Sequence, residues 1–321
     1  MVREGVRPSQ MSAATKTALI AKLSPQSCIV VETTASATTN GINLLAAYAA
    51  AKALTPNGAA LSATNRASVI IPPGVYDLGS GEGYTPLTLD TEFVDLIGLT
   101  SDRKSQHIKG TPPATNSGVI VQTADDVHVS NLYVKILTEV ESANWNDTDS
   151  AAYFPSTSLS NTVVDNCQFD GQEGSKYEGP RLFSMRLYIE YSGTFNNCTG
   201  GNFAFGGYGG TASGTFTNCT GGNFAFGGAG GTASGTFTNC TGGDNAFGGA
   251  GGTAGTASGT FTNSTGGDYS FGGDGGTLSG QLYYCRLTTG SFQTLAEGGK
   301  LRACVDGSDT FIDTLDYKGE E

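Results

Sequence analysis

The second half of the chain repeats one 15-residue motif at a nearly constant spacing. Copies begin at Gly193, Gly214, Gly235 and Gly259, the second reading GTFTNCTGGNFAFGG, and a degenerate copy begins at Gly280. The steps are 21, 21, 24 and 21 residues, and the long step contains an additional Gly-Thr-Ala. A fixed period near 20 residues indicates one structural unit per repeat, stacked along an axis.

The repeat unit is a coil of short strands. Each copy has two Gly-Gly pairs, which strongly disfavour a helix, and three short segments such as Gly-Thr-Phe-Thr-Asn that are separated by glycines. Three strands and three bends make one turn of a solenoid, with turns ~4.8 Å apart. The sequence therefore predicts an all-β, single-stranded, right-handed parallel β-helix with about 21 residues per turn.

Stacked turns place like residues in columns. Apolar columns belong inside the solenoid, whereas asparagine belongs at a bend, where it tolerates left-handed backbone and its amide can bond the next turn. The predicted columns are Phe195, Phe216, Phe237, Phe261 and Leu282; Cys198, Cys219, Cys240, Ser264 and Cys285; Asn197, Asn218, Asn239 and Asn263; and Phe205, Phe226, Phe247, Phe271 and Phe292.

The seven cysteines are expected to be reduced. Equivalent positions on neighbouring turns place their Cβ atoms ~4.8 Å apart, beyond the 3.5–4.5 Å of a disulfide. The chain has two histidines and no Cys-x-x-Cys pair, so we expect no metal and no cofactor.

The rest of the chain divides into recognisable segments. The charge of residues 1–27 is +3, within a total of −12, so nucleic acid is not an expected partner. No segment has the ~20 apolar residues that would span a bilayer, and no convincing signal peptide is present. We expect an attachment arm over 1–29 with a short helix at 12–23, a β-helix over 30–312 opened by a helix at 41–54 that Asn40 caps, and an acidic tail over 313–321.

The helix followed by VIIPPGVYDLG, FVDLIGL and the VSNL, VDNC and TNC segments resembles the pectate-lyase-like β-helix superfamily. Within that superfamily, the chain is most similar to phage tailspikes and other virion appendages, and the likeness covers residues 30 to about 312. The resemblance implies that the helix covers the first turn and that the protein forms a homotrimer in a virion. It does not imply one activity, because this fold carries lyases, hydrolases, adhesins and spacers.

Two insertions interrupt the period before the regular repeats at 193–295. Asn131 to Asn166 is 35 residues and Asn166 to Asn197 is 31, so the turns within 119–190 carry loops of about 14 and 10 additional residues. Aromatic and polar side chains there suit a sugar ligand, and they suit a protomer interface equally well. The ligand-binding candidates are Trp145, Tyr153, Tyr177 and Arg181, and the acids available to a hydrolase or lyase are Asp147, Asp149, Glu173 and Glu178.

The expected function is structural. The regular turns hold almost no carboxylates and no nucleophile motif, which disfavours catalysis there. We expect a non-catalytic component of a phage tail or similar appendage that contacts the host surface, with a glycan as a candidate ligand and the arm bound to other virion proteins. A polysaccharide-depolymerising tailspike is one alternative. An ice-binding or adhesive extracellular solenoid is the other, because Thr215, Thr217, Thr236, Thr238, Thr260 and Thr262 would form outward rows.

Overall fold

In the computed structural model of the protein, some segments are described and others are not. The described residues are 27–112, 118–137, 151–155, 160–170, 190–191, 193–201, 205, 210–227, 230–248, 255–272, 275–292 and 295–316. For 151–155, 170, 190–191 and 313–316 only the backbone is described. The predicted arm helix at 12–23 lies outside these residues.

The described chain is built almost entirely of short strands. One α-helix, α1 (Ala37–Ala51), and three 3₁₀ turns, Pro56–Gly58, Gly81–Gly83 and Arg103–Ser105, complete it. In chain order the strands are β1 Cys28–Val30, β2 Ala67–Ile71, β3 Gly74–Ser80, β4 Leu87–Leu89, β5 Val94–Gly98, β6 Gln106–Thr111, β7 Gly118–Gln122, β8 His128–Ser130, β9 Tyr133–Ile136, β10 Ala151–Pro155, β11 Val163–Asp165, β12 Gln168–Asp170, β13 Glu190–Tyr191, β14 Thr194–Asn196, β15 Thr211–Ala212, β16 Thr215–Thr217, β17 Thr232–Ala233, β18 Thr236–Thr238, β19 Thr256–Ala257, β20 Thr260–Thr262, β21 Thr265–Gly266, β22 Thr277–Leu278, β23 Gln281–Tyr283, β24 Arg286–Leu287, β25 Lys300–Val305 and β26 Phe311–Asp316.

Successive turns of the chain contribute one strand each to a set of parallel sheets. A 14-stranded sheet runs the length of the molecule in the order β1-β2-β5-β8-β11-β14-β16-β18-β20-β23-β25-β24-β21, with β26 beside β25. The other sheets are β3-β6-β9-β12, β4-β7-β10 and β13-β15-β17-β19-β22. The protein is therefore a right-handed parallel β-helix, as the repeats predict.

The repeats stack in register. Phe195 pairs with Phe216, Phe216 with Phe237 and Phe237 with Phe261. The rings of this column lie 4.9 Å apart, and a second column through Phe226 and its neighbours has rings 4.8 Å apart. Rings of the two columns meet edge to face at 5.3–5.9 Å, which fills the core with interlocked aromatic side chains.

The N-terminal helix begins earlier than its sequence pattern predicts. Helix α1 spans Ala37–Ala51, and the hydroxyl of Ser36 caps it by accepting a hydrogen bond from the Thr39 N–H at 3.2 Å. The predicted cap, Asn40, is instead buried within the first turn, where its amide donates to the Val75 carbonyl. The predicted start at residue 41 was wrong because the Ser36 hydroxyl already accepts one of the free N–H groups of an earlier first turn, and the predicted end at 54 lies three residues beyond Ala51.

The C-terminal end closes with an antiparallel hairpin. Strand β26 pairs antiparallel with β25, with Leu315 opposite Leu301 and Ile312 opposite Cys304. The predicted boundary between solenoid and tail at residue 312 falls inside this strand. Reversal of the strand direction covers β25 without adding another parallel turn.

Candidate functional site

Two outer surfaces of the solenoid differ in chemistry. The first, the threonine face, is the outer side of the repeat strands and consists of Thr194, Asn196, Thr215, Thr217, Thr236, Thr238, Thr260 and Thr262. In each of these strands the central Phe is buried and its two neighbours point outward. The threonine face is therefore regular and uncharged.

The second surface, the mixed face, is the outer side of β3, β6 and β9. Its members alternate with buried residues of the same strands, so they point away from the core. In register, Asp77, Lys109 and Lys135 form one row, and His107 and Tyr133 form another. The mixed face thus combines aromatic rings with charges of both signs.

Contacts within the mixed face order its side chains. The rings of His107 and Tyr133 stack at 4.6 Å between centroids with 29° between their planes. The Lys109 ammonium lies 3.3 Å from an Asp77 carboxylate oxygen, and the other oxygen of Asp77 accepts the Gly79 N–H at 3.0 Å. Such a platform of stacked rings beside ordered polar groups is suited to a sugar ring.

Both predicted insertions leave the solenoid beside the mixed face. The first follows β9 and returns at β10, and the second follows β12 and returns at β13. Strands β9 and β12 are parallel neighbours, with Phe169 opposite Val134. Because the carboxyl ends of parallel neighbours meet at one edge, the two insertions leave the sheet side by side.

Most of the site residues predicted from the sequence lie outside the described residues. They are Trp145, Asp147, Asp149, Glu173, Tyr177, Glu178 and Arg181. Tyr153 was wrongly assigned to a protruding loop: its backbone belongs to β10 and pairs with Ile120 of β7. The sequence analysis missed this strand because it counted all 14 additional residues as one loop.

At the first turns of the 14-stranded sheet, an ion pair is shielded from solvent although it is not part of the hydrophobic core. The Asp95 carboxylate accepts a hydrogen bond from Arg66 Nε at 2.8 Å and another from the His128 N–H at 2.9 Å. The Arg66 guanidinium also lies over the Phe93 ring, 5.4 Å from its centroid. With both oxygens of Asp95 bonded, this cluster joins three turns and has a structural role.

An acidic cleft of about 580 Å³ lies next to this ion pair. Its lining consists of Leu61, Asp90, Thr91, Glu92, Phe93, Thr123, Ala124 and Asp125. Burial opposes ionisation of Asp90, but hydrogen bonds from Lys52 and Thr91 outweigh it and hold the pKa of the carboxyl below its usual value. Asp90 is therefore anionic at neutral pH and its charge is balanced by Lys52, 2.9 Å away.

Two kinds of feature are absent from the described residues. No group of three or more His, Cys, Asp or Glu side chains in the described ranges is arranged to hold a metal ion. No described helix has the length and apolar character needed to cross a membrane.

Comparison with known proteins gives a likeness of fold. The sequence matches no protein-family profile and no curated protein. The structure is similar to the ORF18 protein of Geobacillus virus E2, with 11% identity and a TM-score of 0.40, over 85% of this chain and 50% of the viral protein. This chain thus spans about half the length of that protein.

Pectin methylesterases are also similar, with slightly lower TM-scores. A pectin methylesterase solved with a hexasaccharide has 14% identity and a TM-score of 0.35, and one from Erwinia chrysanthemi has 13% and 0.34. Each match covers 89% of this chain and 84% of the enzyme.

Proposed function

We propose that the chain is a non-catalytic structural component of a phage tail or similar virion appendage, and that its mixed face contacts the host surface. The observation that carries this proposal is the departure of both insertions from neighbouring strands beside the ordered rings and charges of that face. The long repeat region, which has few charged residues, supports a spacer that holds the contact surface at a fixed distance. The partner surface is a host glycan, because sugars stack on aromatic rings and bond to charged groups.

Binding to host polysaccharide tests the proposed contact surface. Labelled protein is applied to an array of bacterial surface polysaccharides, and the Tyr133→Ala and Lys135→Ala variants are compared with Thr236→Ala and Thr238→Ala on the threonine face. We expect the mixed-face variants to lose at least tenfold in affinity and the threonine-face variants to bind as the unchanged protein does. Equal binding by all four variants would contradict the proposal.

The same samples test the absence of catalysis. Any polysaccharide that the protein binds is incubated with it, and reducing ends and unsaturated uronate are measured. We expect neither to form. Turnover that is lost in Asp147→Ala or Glu173→Ala would replace this proposal with the depolymerising tailspike.

The threonine face supports ice binding as a second candidate function. Its threonines recur in register from turn to turn, over a column of Phe rings that stack 4.9 Å apart. Thermal hysteresis that is abolished by Thr236→Tyr and retained in Tyr133→Ala would favour this function. No hysteresis in the unchanged protein would exclude it.

A further inference from the structure

Two lysines lie opposite each other on the mixed face. Lys109 of β6 and Lys135 of β9 are in register on neighbouring parallel strands, and each is half-buried. Among the described side chains, the Lys109 ammonium has a carboxylate partner, Asp77 at 3.3 Å, whereas the Lys135 ammonium has none. Like charges directly opposite each other on neighbouring strands are destabilising. The fold therefore tolerates a repulsion here that a bound anion would relieve.

A third cation, Arg103, lies at the edge of the mixed face where β12 begins. Its guanidinium donates to the Cys167 carbonyl at 3.3 Å, to the Asn197 carbonyl at 3.1 Å and to the Thr199 hydroxyl at 3.3 Å. All three acceptors are neutral oxygens. Thr199 belongs to the same row as Tyr133, with one residue of β12 between them. The charge of Arg103 is therefore held close to the aromatic rings of the face.

The mixed face is thus positive although the chain as a whole is acidic. Its described side chains carry two positive charges, Lys109 and Lys135, and one negative charge, Asp77, within a chain of net charge −12. Arg103 adds a further positive charge at the edge, and the two residues that flank Arg103 in sequence carry opposite charges. A local excess of positive charge attracts anions.

We infer that the glycan bound by the mixed face is anionic and carries carboxylate or phosphate groups. This inference rests on the proposed function, which brings a glycan to that face. A sugar ring stacks on His107 and Tyr133, and its negatively charged group binds Lys135. Lys135 lies two residues along β9 from Tyr133, which is ~6.6 Å in an extended strand. The flexible four-carbon stem of lysine spans the distance that remains between its ammonium and a group attached to the stacked ring.

The negative charge of the ligand accounts for the preference. An anion beside Lys135 is attracted by both ammonium groups of the pair, so the repulsion between Lys109 and Lys135 is offset when the ligand binds. A neutral sugar of the same shape keeps the stacking contact with the rings but leaves the two ammonium groups repelling each other. The mixed face should therefore bind a charged glycan more tightly than its neutral counterpart.

Matched pairs of polysaccharides test this inference. Each bacterial polysaccharide that the full-length protein binds is compared with its carboxyl-reduced form or its dephosphorylated form, which keeps the sugars and removes the charge. Affinities are measured by biolayer interferometry at low and high salt. We expect the neutral form to bind about tenfold more weakly, and high salt to weaken binding of the charged form only. The two chemical treatments distinguish carboxylate from phosphate.

Three variants separate the charge from the rings. Lys135→Gln should weaken binding of the charged form about tenfold and leave binding of the neutral form unchanged. Tyr133→Ala should weaken both forms, and Lys300→Gln, the same change on β25, should weaken neither.

The possible failures are distinguishable. Equal binding of the charged and neutral forms, or an equal loss of both in Lys135→Gln, would overturn this inference while glycan binding by the mixed face still held. No binding to any polysaccharide would overturn the proposed function and this inference with it.

Discussion

Asparagine at the bends turns the chain and links neighbouring turns. Asn197, Asn218, Asn239 and Asn263 have φ between 50° and 53°, the left-handed region. The Asn218 amide donates to the Asn197 side-chain oxygen at 3.1 Å, and the Asn239 amide donates to that of Asn218 at 3.1 Å. All four asparagines therefore support a strained backbone, and Asn197, Asn218 and Asn239 also form a column of side-chain hydrogen bonds.

Replacing one bend asparagine should destabilise the protein measurably. We expect Asn218→Ala to lower the free energy of unfolding by ~1–2 kcal/mol, since alanine tolerates left-handed backbone poorly and removes two hydrogen bonds. Asn218→Gly should lower it less. Urea unfolding measures both, with Tyr284→Ala as the control, because Tyr284 occupies the equivalent bend at φ 56° and is mostly exposed. A loss in the control as large as in Asn218→Ala would contradict this account.

Because of the buried thiols, the free energy of unfolding depends on pH in the alkaline range. Burial raises the pKa of Cys167 to about 12, above the value of an exposed thiol in the unfolded chain. The contribution of Cys167 to the free energy of unfolding is fully present below about pH 8.5, the pKa of a free thiol. It is lost as the pH rises towards 12.

Comparison with a serine variant isolates this thiol. We expect the urea midpoint of unfolding to decrease as the pH is raised from 8 to 11, and to decrease less in Cys167→Ser. The buried tyrosines titrate equally in both proteins, so the difference between them reports on Cys167. The midpoint of each protein at each pH is the measurement. An identical fall in both would show that Cys167 does not contribute.

At the scale of elements, the phenylalanine columns hold the turns together. Phe226 stacks on Phe205 and Phe247 at 4.8 Å and meets Phe216 and Phe237 edge to face. At the end of the same column, Phe292 is tilted by 39° from Phe271 at 6.0 Å and is only partly buried. The predicted column is thus tight in its centre and loose at its last member.

Truncation at these two positions should have unequal effects. We expect Phe226→Ala to lower the free energy of unfolding by ~3–5 kcal/mol, because it leaves a cavity among four rings. Phe292→Ala should lower it by less than half as much. Thermal and urea unfolding of the two variants measure the difference. Equal losses would show that the centre of the column contributes no more to stability than its last member.

The sequence predicts those elements that repeat and misses those that do not. Rung spacing, the inward Phe and the Asn bends follow from identical residues at one period. The mixed face was missed because Lys109 and Lys135 lie on turns of unlike sequence and become neighbours only once the register is known. Likewise Cys304 extends the cysteine column beyond the repeats, where no motif marks it.

At the scale of the whole molecule, charge is unevenly distributed. Between Gly193 and Cys285 the charged residues are Asp244, Asp268 and Asp274, within a chain of net charge −12. The Asp244 and Asp268 side chains belong to a second bend column, in which the Asp244 carboxylate accepts the Asp268 N–H at 2.9 Å. The outer face of the repeat strands is therefore the surface on which acidic chains can approach with the least repulsion.

We propose that the protein is a homotrimer joined along the repeat region, with the basic residues 1–27 gathered at one end to bind another virion protein. Parallel side-by-side packing suits three identical solenoids, since cyclic symmetry brings the same surface of each chain to the axis. Sedimentation should give the mass of three chains at micromolar concentration. Thr238→Lys, which would place three like charges near the axis, should shift the equilibrium towards monomers, while Lys135→Ala on the mixed face should not. A folded monomer at that concentration would contradict the trimer.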